Sequence, residues 1–275
     1  MTTSSSEVPK ESHNSASSTL PTFETTFAVP LSCDACISDI TTALRQNVPG
    51  IHKITASLPD QIVSVTGNAA PSAIVSAIEA TGRDAILRGS GKAESAAVCI
   101  LETHCEKVAL HEQVRGLVRM VEVVPKDQEG KSVGEALVLA DMTLKGVGEG
   151  TYHVSVRETG DISQGPRSVG GVWDWSKAKE EGRKNVKGVF GTIQVGRNGM
   201  GSVFVDRPVR IWELIGRSMV VSRAELGKEE KEDENTLVGV IARSAGVWDN
   251  DKTVCSCSGK TVWEERTEQR GKGML

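Results

Sequence analysis

Of the six cysteines in this 275-residue sequence, four stand in two close pairs: Cys33/Cys36 in LSCDAC and Cys255/Cys257 in VCSC. Cys33 and Cys36 fall where a strand-like run gives way to a helical pattern. Both sulfurs can converge there, and the positive end of the helix dipole favours the thiolate form. Two thiolates suit a soft monovalent ion such as Cu(I). A structural zinc site takes four ligands, and no second CxxC or nearby His completes such a set. His52, the one His between residues 22 and 89, lies in a predicted strand and reads as a surface or packed residue. The same spacing admits a redox dithiol of the thioredoxin type, but that reading expects a βαβ setting with aromatic and proline neighbours.

Cys255 and Cys257 are spaced i, i+2, so in extended chain their side chains fall on one side and can bridge one ion. A disulfide closing so small a ring is strained and readily passed on, which suits thiol-disulfide exchange equally well. Cys99 and Cys105 sit in or next to a β-rich run and read as buried, unreactive thiols. His104 is beside Cys105, but no second cluster of ligands points to it.

The elements that must position Cys33 and Cys36 follow from periodicity. Residues 22–30 (TFETTFAVP) read as a strand, and residues 36–48 place Ile37, Ile40 and Leu44 at helical spacing before Pro49-Gly50. Residues 51–58 and 62–66 alternate around Pro59-Asp60, residues 72–80 form a second helix, and residues 83–87 a last strand. The order βαββαβ is the ferredoxin-like split βαβ unit. Gly89-Ser-Gly91 marks the domain boundary, and helical periodicity stops there. Residues 96–102, 114–124, 135–142, 151–158, 189–195, 218–222 and 237–241 are β-rich, as in an antiparallel sandwich or barrel. Residues 228–234 (KEEKEDE) read as a solvated loop. The predicted organisation is a disordered leader (1–21), an α+β domain (22–89), an all-β domain (92–246) and a largely irregular tail (247–275) carrying Cys255 and Cys257.

A net charge of −4 spread over a mixed surface argues against a nucleic-acid binder, and no apolar run approaches the roughly 20 residues of a membrane helix. The Ser/Thr-rich start lacks the apolar core of a secretory signal, so the reducing cytosol is the default compartment.

LSCDAC in a ferredoxin-like unit resembles the heavy-metal-associated domains of copper chaperones and copper pumps, where the motif is MxCxxC; Leu31 stands in the place of that Met. Residues 158–161 (ETGD), 165–171, 214–221 (LIGRSMVV) and 239–241 resemble, in order, landmark segments of Cu,Zn superoxide dismutase. With the tail GVIARSAGVWDNDKTVCSCSGKTVWEER, the three parts together resemble the family of copper chaperones for superoxide dismutase in its fungal form.

The resemblance implies a metallochaperone that holds Cu(I) on Cys33 and Cys36. It would dock a Cu,Zn superoxide dismutase subunit as a heterodimer, and use Cys255 and Cys257 to insert copper and promote the target's disulfide. It also implies copper importers as upstream donors, leaves open a homodimer and a mitochondrial intermembrane-space fraction, and places the docking contacts at Gly160, Asp161, Leu214, Ile215, Gly216, Arg217 and the segment from Ile241. The alternative is a thiol-disulfide oxidoreductase working through the tail pair. A dismutase would place its copper-binding His at Ser155, Arg157, Val172 and Ser222, so no dismutase activity is expected. Residues 162–175 offer zinc only Asp174, so bound zinc is not expected either. The dismutase's structural disulfide corresponds to Pro166 and Val238, and His153 reads as structural.

Overall fold

Spacing of apolar residues accounts for the first domain. In the computed structural model, which describes residues 21–90, 94–124 and 135–244, β1 (Phe23–Ala28) is followed by α1 (Asp34–Asn47), β2 (Ile51–Ser57), β3 (Ile62–Gly67), α2 (Pro71–Glu79) and β4 (Ile86–Ser90). The strands form an antiparallel sheet in the order β2-β3-β1-β4, the expected split βαβ arrangement. Ile40 and Leu44, one turn apart on α1, are buried against Ile74 and Ile78 of α2 and Phe27, Val63 and Val65 of the sheet. Each such side chain contributes about 1.5–3 kcal/mol through burial. The expected leader, up to residue 20, lies outside the described residues.

The second domain is an eight-stranded antiparallel sheet built from β5 (Ala96–Thr103), β6 (Val114–Val123), β7 (Leu137–Lys145), β8 (Gly150–Val156), β9 (Val189–Val195), β10 (Met200–Arg207), β11 (Ser218–Ser222) and β12 (Leu237–Arg243). Its order, β10-β7-β6-β5-β12-β11-β8-β9, puts the consecutive strands β9 and β10 at opposite edges, and the sheet curls toward a barrel. Tyr152, Phe190, Ile193, Met142 and Leu101 fill the interior.

Four expectations are corrected. Strand β10 was not anticipated: it is an edge strand interrupted by Gly201 and Asp206, which dilute the β signal. Helix does not stop at the boundary, since α3 (Trp175–Glu180) and α4 (Ile211–Leu214) are present but too short to show a period of 3.6. Strand β4 runs through Gly89 to Ser90, so the Gly-Ser-Gly spacer is partly strand. The charged stretch 228–234 is not wholly solvated, because the Glu229 side chain is only 5% exposed.

Strand β7 is buried on both faces, although only one faces the barrel interior. Its outer face is covered by the first domain: Leu139 packs with Phe23 of β1. Among the described residues no helix is long and apolar enough to cross a membrane. The tail with Cys255 and Cys257 lies outside the described residues.

Strand β12 approaches β5 so closely at Gly239 that a Cβ would sit 1.9 Å from the Ile100 carbonyl oxygen. A backbone atom cannot move aside cheaply. Gly239→Ala should therefore destabilise the protein by about 3 kcal/mol or more, read as a lower urea midpoint of the β-domain.

Candidate functional site

Helix α1 starts at the paired thiols. Cys33 is its N-cap residue, with extended backbone and no side-chain cap, and the Cys36 amide donates to the Cys33 carbonyl at 3.0 Å. The two Sγ atoms are 3.7 Å apart, with Cys33 exposed and Cys36 half-buried. Leu31 is buried in the domain core, and Gln61 clamps its backbone from β3's side: Leu31 N donates to Oε1 at 2.8 Å and Nε2 donates to Leu31 O at 2.6 Å. Leu31 thus anchors the loop from below, which leaves both sulfurs outward.

The site favours negative charge on sulfur. The Ser32 backbone N–H, the Arg83 guanidinium and the Cys33 backbone N–H lower the pKa of Cys36 from 9.0 to about 7. Arg83 reaches the pair from the turn before β4, held by Asp39 of α1 at 3.1 Å. Sequence reasoning missed both Gln61 and Arg83. Arg83 carried a faint signal, a cation in a Thr-Gly-Arg-Asp turn, but its role depends on α1 and β4 packing side by side. Among the described residues no group of three or more His, Cys, Asp or Glu side chains could hold a metal, so this site offers two sulfurs.

The other thiols are occupied otherwise. Burial pushes Cys99 up to about 12, and buried Cys105 donates from Sγ to the Glu232 carbonyl at 3.2 Å. His52 is exposed on β2.

In the second domain, the four positions corresponding to dismutase copper ligands form a different structure. The Arg157 Nε donates to Ser155 Oγ at 3.0 Å, and its guanidinium pairs with Glu229, the two side chains being 3% and 5% exposed. Val172 bridges to Arg157, and Ser222 Oγ is 2.8 Å from Thr236 Oγ1. Asp174, the one acidic side chain in the zinc-loop region, accepts two hydrogen bonds of 2.9 Å from Arg183, which hold its carboxyl below the usual carboxylate range. At the disulfide positions, Pro166 is buried and Val238 packs with Val169, Val220 and Ile162.

The residues named for docking do come together. A Cβ on Gly160 would meet the Gly216 carbonyl oxygen at 2.3 Å, and Val240 Cγ1 is 3.7 Å from the same point. Gly216 N donates to Ile241 O at 2.9 Å, and Ile241 N donates to Arg217 O at 2.8 Å. Arg217 donates to the carbonyls of Glu158 and Glu213 and lies 4.6 Å from the Trp173 ring centroid. Exposed Val240 and Ile100 stand on the adjacent strands β12 and β5. Leu214 and Ile241 are corrections: both side chains point into the barrel core and support the face from beneath.

Residues 26–84 match the heavy-metal-associated domain family, and residues 114–243 match the copper/zinc superoxide dismutase family. The chain is 42% identical over 257 residues to the superoxide dismutase 1 copper chaperone of Saccharomyces cerevisiae, covering 90% of this chain and 95% of that one. This chain belongs to the family of copper chaperones for superoxide dismutase. Similarity extends to the Debaryomyces hansenii chaperone (38% over 260 residues, 92% and 98% covered) and the human one (30% over 274 residues, 93% of each). Relative to the two segments of this chain that match the family models, β4 closes the first sheet beyond residue 84, and β5 opens the second before residue 114.

Two outcomes follow for this chaperone. Because the Cys36 pKa is depressed, thiolate predominates above about pH 7 and is lost as pH falls through that value. Alkylation of Cys36 in the reduced, metal-free chain should therefore show a midpoint near 7, and Arg83→Ala should move that midpoint upward. Removing one member of a buried ion pair strands the other, so Glu229→Ala should cost about 3–5 kcal/mol in chemical denaturation.

Proposed function

We propose that the chain accepts Cu(I) between the Sγ atoms of Cys33 and Cys36, docks a Cu,Zn superoxide dismutase subunit, and passes the ion on through Cys255 and Cys257. The observation that carries this reading is the outward-facing dithiol, sulfurs 3.7 Å apart, beside one guanidinium. Two thiolates and a monovalent cation leave one negative charge, which Arg83 offsets. A site limited to two sulfurs suits Cu(I) and leaves a four-ligand zinc site incomplete. Exchange from one thiolate pair to the next keeps the ion bound throughout, so no step releases it bare.

The relatives are named as copper chaperones for superoxide dismutase, which supports that partner and argues for a carrier rather than an enzyme. Gly160, Gly216 and Val240, with Ile100 alongside, form a face that fits isologous pairing with a dismutase subunit, or with a second copy when no target is present. Docking brings the tail pair beside its target, raising its effective concentration toward the millimolar range. When Cys255 and Cys257 are oxidised to a disulfide, exchange breaks that bond, forms one in the reduced target, and leaves two thiols on the tail. The reducing cytosol, with copper importers as donors, is the setting this chemistry suits; an intermembrane-space fraction is compatible with it.

The test is to mix copper-loaded chain with reduced, zinc-loaded dismutase and follow enzyme activity and target disulfide together. Cys33→Ser/Cys36→Ser should remove one equivalent of thiolate-bound Cu(I), and Cys255→Ser/Cys257→Ser should block transfer while the first site still loads. Full Cu(I) binding with all four cysteines replaced would refute the assignment.

A further inference from the structure

Helix α2 lacks a cap of its own. Its N-cap residue is Ala70, Pro71 occupies the first turn, and that turn carries no acidic side chain. The free amides at a helix start need an acceptor. Here the acceptor comes from the other domain. Asp141, on the outer face of β7, accepts from the Ser72 backbone N–H at 2.8 Å and from the Ser72 hydroxyl at 2.6 Å. Arg119, opposite it on β6, lies 3.6 Å away and supplies positive charge.

An Asp on the outer face of a barrel strand would ordinarily face water. Asp141 is 1% exposed. Burying a carboxylate is tolerated only where it is hydrogen-bonded and paired, and here Ser72 of the first domain donates two hydrogen bonds to it while Arg119 of the second supplies the charge. An apolar contact adjoins it: Phe23 of β1 packs with Val121, Val123 and Leu139, its ring centroid 6.5 Å from that of Phe204 on β10. A helix start and a strand start of one domain are thus seated on three strands of the other.

We infer that Asp141 is a positioning residue: it caps α2 across the domain boundary and, with Phe23 against Phe204, joins the thiol-bearing domain and the dismutase-like domain into one rigid body. The Cys33/Cys36 pair therefore keeps a fixed place relative to the docking face, and swinging of the first domain does not bring copper to a target. This goes beyond the copper-delivery reading and is tested without copper transfer, so either can fail alone.

The experiment is backbone 15N relaxation on the full-length, metal-free chain. In the parent protein, residues 22–90, 94–124 and 135–244 should share one rotational correlation time. In Asp141→Ala the first domain should tumble separately, with a clearly shorter time. A control for folding is the amide chemical-shift dispersion of each domain, which the variant should retain. Phe204→Asp, which leaves the α2 cap in place and alters only the second domain's surface, should also shorten the first domain's time. Separate tumbling in the parent protein would overturn the inference, as would shared tumbling that persists in both variants.

Discussion

The start of α1 gathers backbone amides and one guanidinium around a pair of thiols, and the metal chemistry of this protein depends on it. Cys33 caps the helix with no side-chain hydrogen bond, and the Ser32 and Cys33 backbone amides and the guanidinium of Arg83 all favour negative charge on the Cys36 sulfur. That arrangement makes a thiolate cheap near neutral pH. It persists only while Leu31 stays buried, Gln61 grips the loop, and Asp39 keeps Arg83 turned toward the pair. The ferredoxin-like packing of α1 on α2 and the sheet is what holds those three supports in register.

In the second domain the same economy of charge works to the opposite end. Where a dismutase would gather imidazoles around a metal, this barrel gathers Ser155, Arg157 and Glu229 around one another. The ion pair ties the segment between β11 and β12 back onto β8. Asp174, held by Arg183, is likewise committed to protein partners. At these positions side chains of the barrel pair with one another.

Legibility followed locality. The first domain could be read from Ile37, Ile40 and Leu44 and from the alternation of β2 and β3, because helix and strand periods are written in neighbouring residues. Strands β9 and β11 were placed at their observed bounds for the same reason. Arg83 and Gln61 could not be read, since each acts on a residue brought near only by folding. Glu229 sits in a run of charges, and nothing in KEEKEDE says which carboxylate turns inward to meet an Arg far upstream. The family resemblance named segments that lie together in the fold, yet the side chains of Leu214 and Ile241 are buried in the barrel core, a distinction that only side-chain direction reveals.

The contact of Val238 with Val169 and Val220, beside buried Pro166, stands where a dismutase subunit carries a covalent cross-link. A disulfide can be reduced, and its presence depends on the compartment's poise. Packed valines have no such dependence. This part of the second domain consequently keeps one outline whether its surroundings are reducing or oxidising, and its shape asks nothing of the redox chemistry that the paired thiols of the first domain depend on.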